Sequence, residues 1–319
     1  MRKLFFLLII TFFCKKSFTQ DTTKPKQNSD TTDISKLLEE QLKAEDKNKT
    51  QFVTATFKTT RLVNGHTIET TGKGVLDVKI SHRFGPIGGA GGGTYNLFGL
   101  DVARMRMGFD YGLTNTLMIG VGRSTFKKTY DALVKWKLAR QSTGKIKMPV
   151  TIDYVFTTAV QTDTSGLQHA TVVDLKQHFS KRVTYTHQLI IGRKFSEGLS
   201  LQIMPSVVHR NLPLDAGKND VWALGVGGRQ KLSKRTSFNF EYYYQLPKYK
   251  VPDTRNSFSI GFDIETGGHV FQVHFTNAQG MTESLFIPAT TQSWAKGEIS
   301  LGFNLSRVFT VGKKHTKTW

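Results

Sequence analysis

The strongest constraint in this chain is a two-residue period that recurs from residue 75 almost to the end. In residues 102–111, Ala103, Met105, Met107, Phe109 and Tyr111 alternate with Arg104, Arg106, Gly108 and Asp110. Successive side chains of a strand point to opposite faces, so this segment has one apolar face and one charged face. The pattern returns at Leu76/Val78/Ile80, Leu117/Ile119/Val121, Tyr130/Ala132/Val134/Trp136, Val150/Ile152/Tyr154/Phe156, Val183/Tyr185/Leu189/Ile191 and Leu199/Leu201/Ile203/Val207. It continues at Trp222/Leu224/Val226, Phe238/Phe240/Tyr242/Tyr244, Phe258/Ile260/Phe262/Ile264, Phe271/Val273/Phe275 and Ile299/Leu301/Phe303/Leu305. These make about twelve strands of roughly nine to twelve residues, the length a tilted strand needs to cross a bilayer.

Composition removes the competing classes. At 38% hydrophobic residues and a mean hydropathy of −0.30, the 319-residue chain is not a bundle of membrane helices. With 23 Phe, 9 Tyr and 4 Trp it is too aromatic to be disordered.

An outer-membrane barrel has short turns on the periplasmic side and longer loops outside. From a periplasmic start, the expected outside links are residues 85–101, 126–127, 159–181, 211–219, 247–254 and 277–296. The inside links are 112–115, 139–147, 194–197, 233–234 and 266–267. The 126–127 link is too short for the rule and 139–147 too long, which makes the fourth strand the weakest assignment.

A soluble β-protein shows the same period, with its apolar face turned into a core. The polar face argues for the membrane: Lys79, Arg83, Arg104, Arg106, Asp110, Asp131, Lys135, Arg229, Glu241 and Asp263 place charges of both signs where a narrow lumen would let them pair. Aromatic residues such as Tyr111, Tyr130, Trp136, Trp222 and Tyr244 fall near strand ends on the apolar face, as interfacial girdles do.

Upstream, a basic start and the apolar run 4–13 form a signal peptide, with cleavage expected after Thr19. Acylation of Cys14 competes, but Phe12 and Phe13 precede it where small residues are wanted. Loss of Arg2, Lys3, Lys15 and Lys16 lowers the formal charge from +20 to +16. The organisation read from this is 1–19 signal peptide, 20–50 polar linker and short periplasmic helix, 51–311 β-barrel and 312–319 basic tail. Ile34, Leu37, Leu38 and Leu42 share one face of that helix, and Asp33 caps it. Residues 52–70 either add strands or fold into the lumen as a plug.

The stretches KISHRFG (residues 79–85), MRMGFDYGLT (105–114), GRSTFKKTYD (122–131), GFDIETGGHVFQVHFTN (261–277) and GFNLSRVF (302–309) resemble an uncharacterised family of predicted outer-membrane β-barrel proteins of Bacteroidetes and related bacteria. The resemblance covers about residues 52–311. It implies a barrel in the outer membrane of a Gram-negative bacterium and carries no activity.

Chemistry-bearing motifs are sparse. The GGAGGG run at 88–93 lacks the Gly-Lys-Ser/Thr of a phosphate loop and reads as an outside loop. His269 and His274 are five apart in a strand and face opposite sides, so they do not share a metal. His82 and His187 read as packing residues of the apolar face. No local Ser-His pair suits a barrel phospholipase, so no enzyme, cofactor or metal is expected. Nucleic acid is not expected either, because aromatic and basic residues lie on opposite strand faces.

Three functions fit: passage or binding of a small polar or anionic solute drawn by the inward cations; a non-conducting barrel that holds a periplasmic or surface partner; and a soluble secreted binding protein. Outer-membrane lipid is the surrounding partner in the first two.

Overall fold

The computed structural model describes residues 36, 49–89, 91–163, 173, 178–212 and 217–311. The signal peptide, the linker with its helix and the basic tail lie outside these, apart from Lys36, which is helical, and residues 49–50.

A twelve-stranded antiparallel barrel closes in this chain. In chain order its strands are β2 (Val75–Pro86), β3 (Ala103–Gly112), β4 (Leu117–Ser124), β5 (Thr129–Ala139), β7 (Thr151–Gln161), β8 (Val183–Lys194), β9 (Leu199–Arg210), β10 (Asp220–Lys231), β11 (Thr236–Gln245), β12 (Ser257–Thr266), β13 (His269–Thr276) and β14 (Ser300–Thr310). Each pairs with its sequence neighbours, and β14 closes on β2 from Ser300↔Pro86 to Thr310↔Val75. Closure leaves no unpaired edge, which hydrocarbon requires of a spanning sheet.

Every apolar face identified above points outward. Val121, Trp136 and Trp222 are 57%, 53% and 45% exposed, while Lys79, Arg106, Asp110 and Asp131 are buried inside. The soluble secreted reading is overturned: a barrel stable in water buries its greasy face, and this one presents it to its surroundings over the whole wall.

The fourth strand, β5, is sound. The link before it is a single 3-10 turn, Phe126–Lys128, with Lys127 at φ 50° and Lys128 at φ 43°. The link after it is long because it carries β6 (Ser142–Gly144), which pairs with β1 (Thr50–Phe52) where the chain enters the barrel. The remaining links sort by length, with short turns at 113–116, 195–198, 232–235 and 267–268 on the end where β2 starts and β14 stops.

Between β1 and β2 the chain adds no strand to the barrel. Residues 57–72 run up inside the lumen and back as a plug. Leu62 N donates to Gly65 O at 2.8 Å, Thr67 N donates to Thr60 O at 3.0 Å, and Arg61 bridges His66. From the opposite end, the 277–299 link also turns inward and forms the one-turn helix α1 (Glu283–Phe286), all four of whose residues are buried.

Candidate functional site

The lumen has two unlike halves. On β7 to β11 the inward positions include Val155, Ile190, Met204, Val208, Val221, Ala223 and Tyr243. These join Phe57, Leu62 and Ile68 of the hairpin and Phe286 and Ile287 of the loop in one apolar cluster. The polar lumen expected from sequence is interrupted on this side, where these apolar positions stand among inward polar residues such as Asp153, Gln188, Gln202, Arg229 and Glu241. Leu189-Ile190-Ile191 is a continuous apolar run because the strand is covered on both faces, by surroundings outside and by hairpin inside. Each large apolar side chain so buried is worth about 1.5–3 kcal/mol, which seats the hairpin against this wall. The approach is close enough to require glycine: a Cβ on Gly227 would lie 2.4 Å from Leu62 Cδ2, and one on Gly65 would lie 2.0 Å from the Tyr243 hydroxyl.

The hairpin tip is held by one carboxylate. Glu241 accepts the backbone N–H groups of Val63 (3.1 Å), Asn64 (2.9 Å) and Gly65 (3.1 Å) and the Asn64 amide (2.7 Å). At the neck, Glu69 accepts Thr56 N at 2.8 Å and Phe57 N at 3.1 Å. The side wall contributes Lys135, which donates to Thr67 O and, at 2.5 Å, to Glu69 O. Arg229 donates to Thr56 O at 3.2 Å.

The other half, on β13, β14, β2, β3 and β4, is polar, and its charges pair. Lys79 lies 2.7 Å from Asp77 and 2.5 Å from Asp110. Arg106 clasps Asp131 through Nε at 3.0 Å and Nη2 at 2.5 Å. On the paired strands β5 and β7, Lys135 faces Asp153 at 4.0 Å, and between β12 and β13 Asp263 accepts Gln272 Nε2 at 2.7 Å. Of the six cations singled out from sequence, Arg83 and Arg104 are the ones that neither meet a carboxylate within 4 Å nor donate to the hairpin backbone among the described residues. Sequence reasoning missed Arg61, His66 and Glu283, although Asn64-Gly65 is a turn signal that marks the tip between them.

Those three residues meet at the centre. Arg61 Nη1 donates to Glu283 Oε1 at 2.7 Å, and His66 Nε2 lies 3.5 Å from the same oxygen. Burial raises the Glu283 pKa against the opposing pull of Arg61. Burial, reinforced by Arg61 and Lys135, holds His66 well below its ordinary value.

Two voids among the described residues lie against the polar strip. A vestibule of about 320 Å³ opens at the short-turn end among Lys58, Thr59, Glu69, Asp77, His269 and Ser306. Deeper in, a void of about 10 Å³ lies among Thr59, Arg61, Lys79, Ser81, Arg106 and Ser306, room for about one water. Thr59 and Ser306 line both.

This geometry coincides with a known family, described as a membrane bound beta barrel domain (DUF5777), whose profile matches residues 57–309. The chain belongs to that family. The match begins at the hairpin and ends in the last strand, so the plug is part of the domain rather than an addition to it. The chain is a membrane-bound β-barrel, and no curated protein matches its sequence. Solved structures similar to it include the KdgM porin (7% identity, 75% of this chain and 99% of that one, TM-score 0.43). An outer membrane channel from Pseudomonas putida F1 (11%, 76% and 98%, 0.44) and the outer membrane protein Omp33 of Acinetobacter baumannii (8%, 73% and 97%, 0.40) are also similar.

Proposed function

We propose that this domain is a gated outer-membrane channel for a small polar solute, closed in the present conformation by its own hairpin. The short-turn end faces the periplasm, so the vestibule is its inner mouth. The observation that carries the reading is the division of the lumen: the hairpin buries Phe57, Leu62 and Ile68 on the apolar wall and meets the polar half at its tip, where Gln272 Nε2 donates to Leu62 O at 2.9 Å and Asn304 Nδ2 to Val63 O at 3.0 Å, while the two voids described lie along the polar strip. That is where a path for a hydrated solute would widen once the hairpin shifts. Selectivity would come from Lys79, Arg106 and Arg61, which border the constriction.

An enzyme is disfavoured by the outer surface. His209 Nδ1 lies 2.6 Å from Asp220, an arrangement that could serve a nucleophile. The neighbours on that face are Val207 along the strand and Val183, Tyr185, His187 and Trp222 across it, and none of these is a serine, threonine or cysteine. A non-conducting barrel is the second reading, favoured by the apolar cluster that makes the hairpin part of a core.

Planar-bilayer conductance separates the two. The natural protein should show rare openings, and deletion of residues 58–70 should give a steadily open channel in protein that still shifts on a gel when boiled. A folded, non-conducting deletion protein would sink the channel. Should the deletion prevent folding, Leu62→Cys with Gly227→Cys replaces it: oxidation should abolish the rare openings and reduction restore them.

A further inference from the structure

We propose that Arg83 and Arg104 together form a binding site for a small soluble oxyanion, a phosphate or carboxylate group, on the inner wall near the long-loop end. Arg83 of β2 and Arg104 of β3 are direct cross-strand partners; Arg83 is fully buried in the lumen, and Arg104, half-buried, shares the inward face of β3 with Arg106 and Asp110. Like charges set directly opposite each other destabilise a sheet unless something answers them. Every lysine and arginine around the central void has its answer: Lys79 has Asp77 and Asp110, Arg106 has Asp131, and Arg61 has Glu283.

Arg83 is fully buried yet donates only to neutral groups, namely Ala278 O (2.8 Å), Gly280 O (3.1 Å), Asn64 Oδ1 (2.8 Å) and His274 Nε2 (3.0 Å). Its Nε has no acceptor. Arg104 packs its guanidinium on the Phe126 ring at 4.8 Å, and its buried Nη1 also has no acceptor. Two guanidinium groups on neighbouring strands thus each hold an unanswered donor, with no carboxylate of the described residues within 4 Å of either. The Nη groups of Arg83 are engaged by four neutral acceptors, so an oxyanion seated between the two residues would take the Nε–H of Arg83 and the Nη1 of Arg104, one donor from each. Arg83 also reaches Glu241 through the Asn64 amide, so an anion drawn to Arg83 competes with the contact that holds the hairpin tip.

The site rests on the channel reading for its purpose, in giving the polar solute a negative group, and not for whether it binds. The test is calorimetric titration of the full chain in neutral detergent with inorganic phosphate. Saturable binding in the millimolar range is expected, weakened tenfold or more by Arg104→Ser and less by Arg104→Lys, which keeps the charge without the fork. No saturable binding by the natural protein, or equal binding by a heat-modifiable Arg104→Ser variant, would overturn it. Displacement of phosphate by an anionic phospholipid added to the micelles would assign the site to a headgroup and overturn the soluble solute. Phosphate binding beside a folded but non-conducting hairpin deletion would sink the channel and leave the site. An open deletion channel whose natural parent binds no phosphate would do the reverse.

Discussion

Arg61 and Glu283 join two segments that enter the barrel from opposite ends: the guanidinium rides on the hairpin, the carboxylate on the inward-turned loop, and they meet at 2.7 Å in the middle of the lumen. The strength of this contact depends on protons.

The first prediction concerns acid. His66 is held below its ordinary pKa of 6.5 by burial and by Arg61 and Lys135. The unfolded chain therefore binds more protons at this residue, and its contribution to stability is present above pH 6.5 and lost as the pH falls below it toward the folded value. Glu283 has the opposite sign. Its pKa is raised above 4.5, so its contribution is full below 4.5 and lost as the pH rises through the folded value. His66→Gln removes the first effect and leaves the second. The midpoint of the heat-induced gel shift should therefore move in favour of the variant as the pH falls from 7 to 5. Parallel curves for variant and natural protein would show that His66 carries no such linkage.

The second concerns the tip. Glu241 alone accepts four N–H groups of the hairpin, and hydrogen bonds to a charged group are worth about 1.5–3 kcal/mol each. Glu241→Ala should speed amide exchange at residues 63–65 by at least about tenfold, equivalent to about 1.4 kcal/mol, and raise the open probability in a bilayer. Exchange rates that stay put would mean that the apolar wall, with Gln272 and Asn304 on the tip carbonyls, seats the hairpin without Glu241.

That dependence on a remote residue explains which parts of the molecule the sequence discloses. Strand positions were legible because Met105, Met107 and Phe109 must face outward while Arg106 and Asp110 must not, and a period of two records that choice locally. The hairpin was not. Val53, Ala55 and Phe57 alternate as a strand would, yet Ala55 takes φ 54° and the chain turns inward. What decides its course are cavities left by Gly227 and by the inward Met204 and Tyr243, contributed by strands more than 100 residues away. The pairing of Arg106 with Asp131 was visible as complementary charge, but the isolation of Arg83 and Arg104 appears only once the register sets them side by side.

A third prediction follows from that close approach. Gly227→Val puts new carbon where Leu62 Cδ2 sits, and overpacking of this kind costs about 1–3 kcal/mol. The strain falls on the hairpin, because Gly227 itself is fixed by pairing to Gln202 and Glu241 on its two neighbours. The barrel should remain heat-modifiable while residues 57–71 become open to added protease. A variant as resistant as the natural protein would argue that the wall, rather than the hairpin, yields.

The fourth returns to the central contact. Arg61→Met leaves Glu283 buried with only His66 at 3.5 Å, and breaking a buried pair from one side costs about 3–5 kcal/mol. Glu283→Gln leaves Arg61 with the Asn64 carbonyl at 2.7 Å as an acceptor, so its loss should be smaller. With both changes together no charge is stranded, and the double variant should be more stable than Arg61→Met alone. The cycle should close with a coupling of about 1–3 kcal/mol, read from unfolding midpoints. The electrical readout should follow a different order. Each of the three variants removes the ion pair between the hairpin and the loop, and the two that lack Arg61 remove the hydrogen bond as well, so all should open more often than the natural protein, Glu283→Gln least. Restored stability with restored closure would instead mean that packing, and not the Arg61–Glu283 contact, keeps the two ends of the plug together.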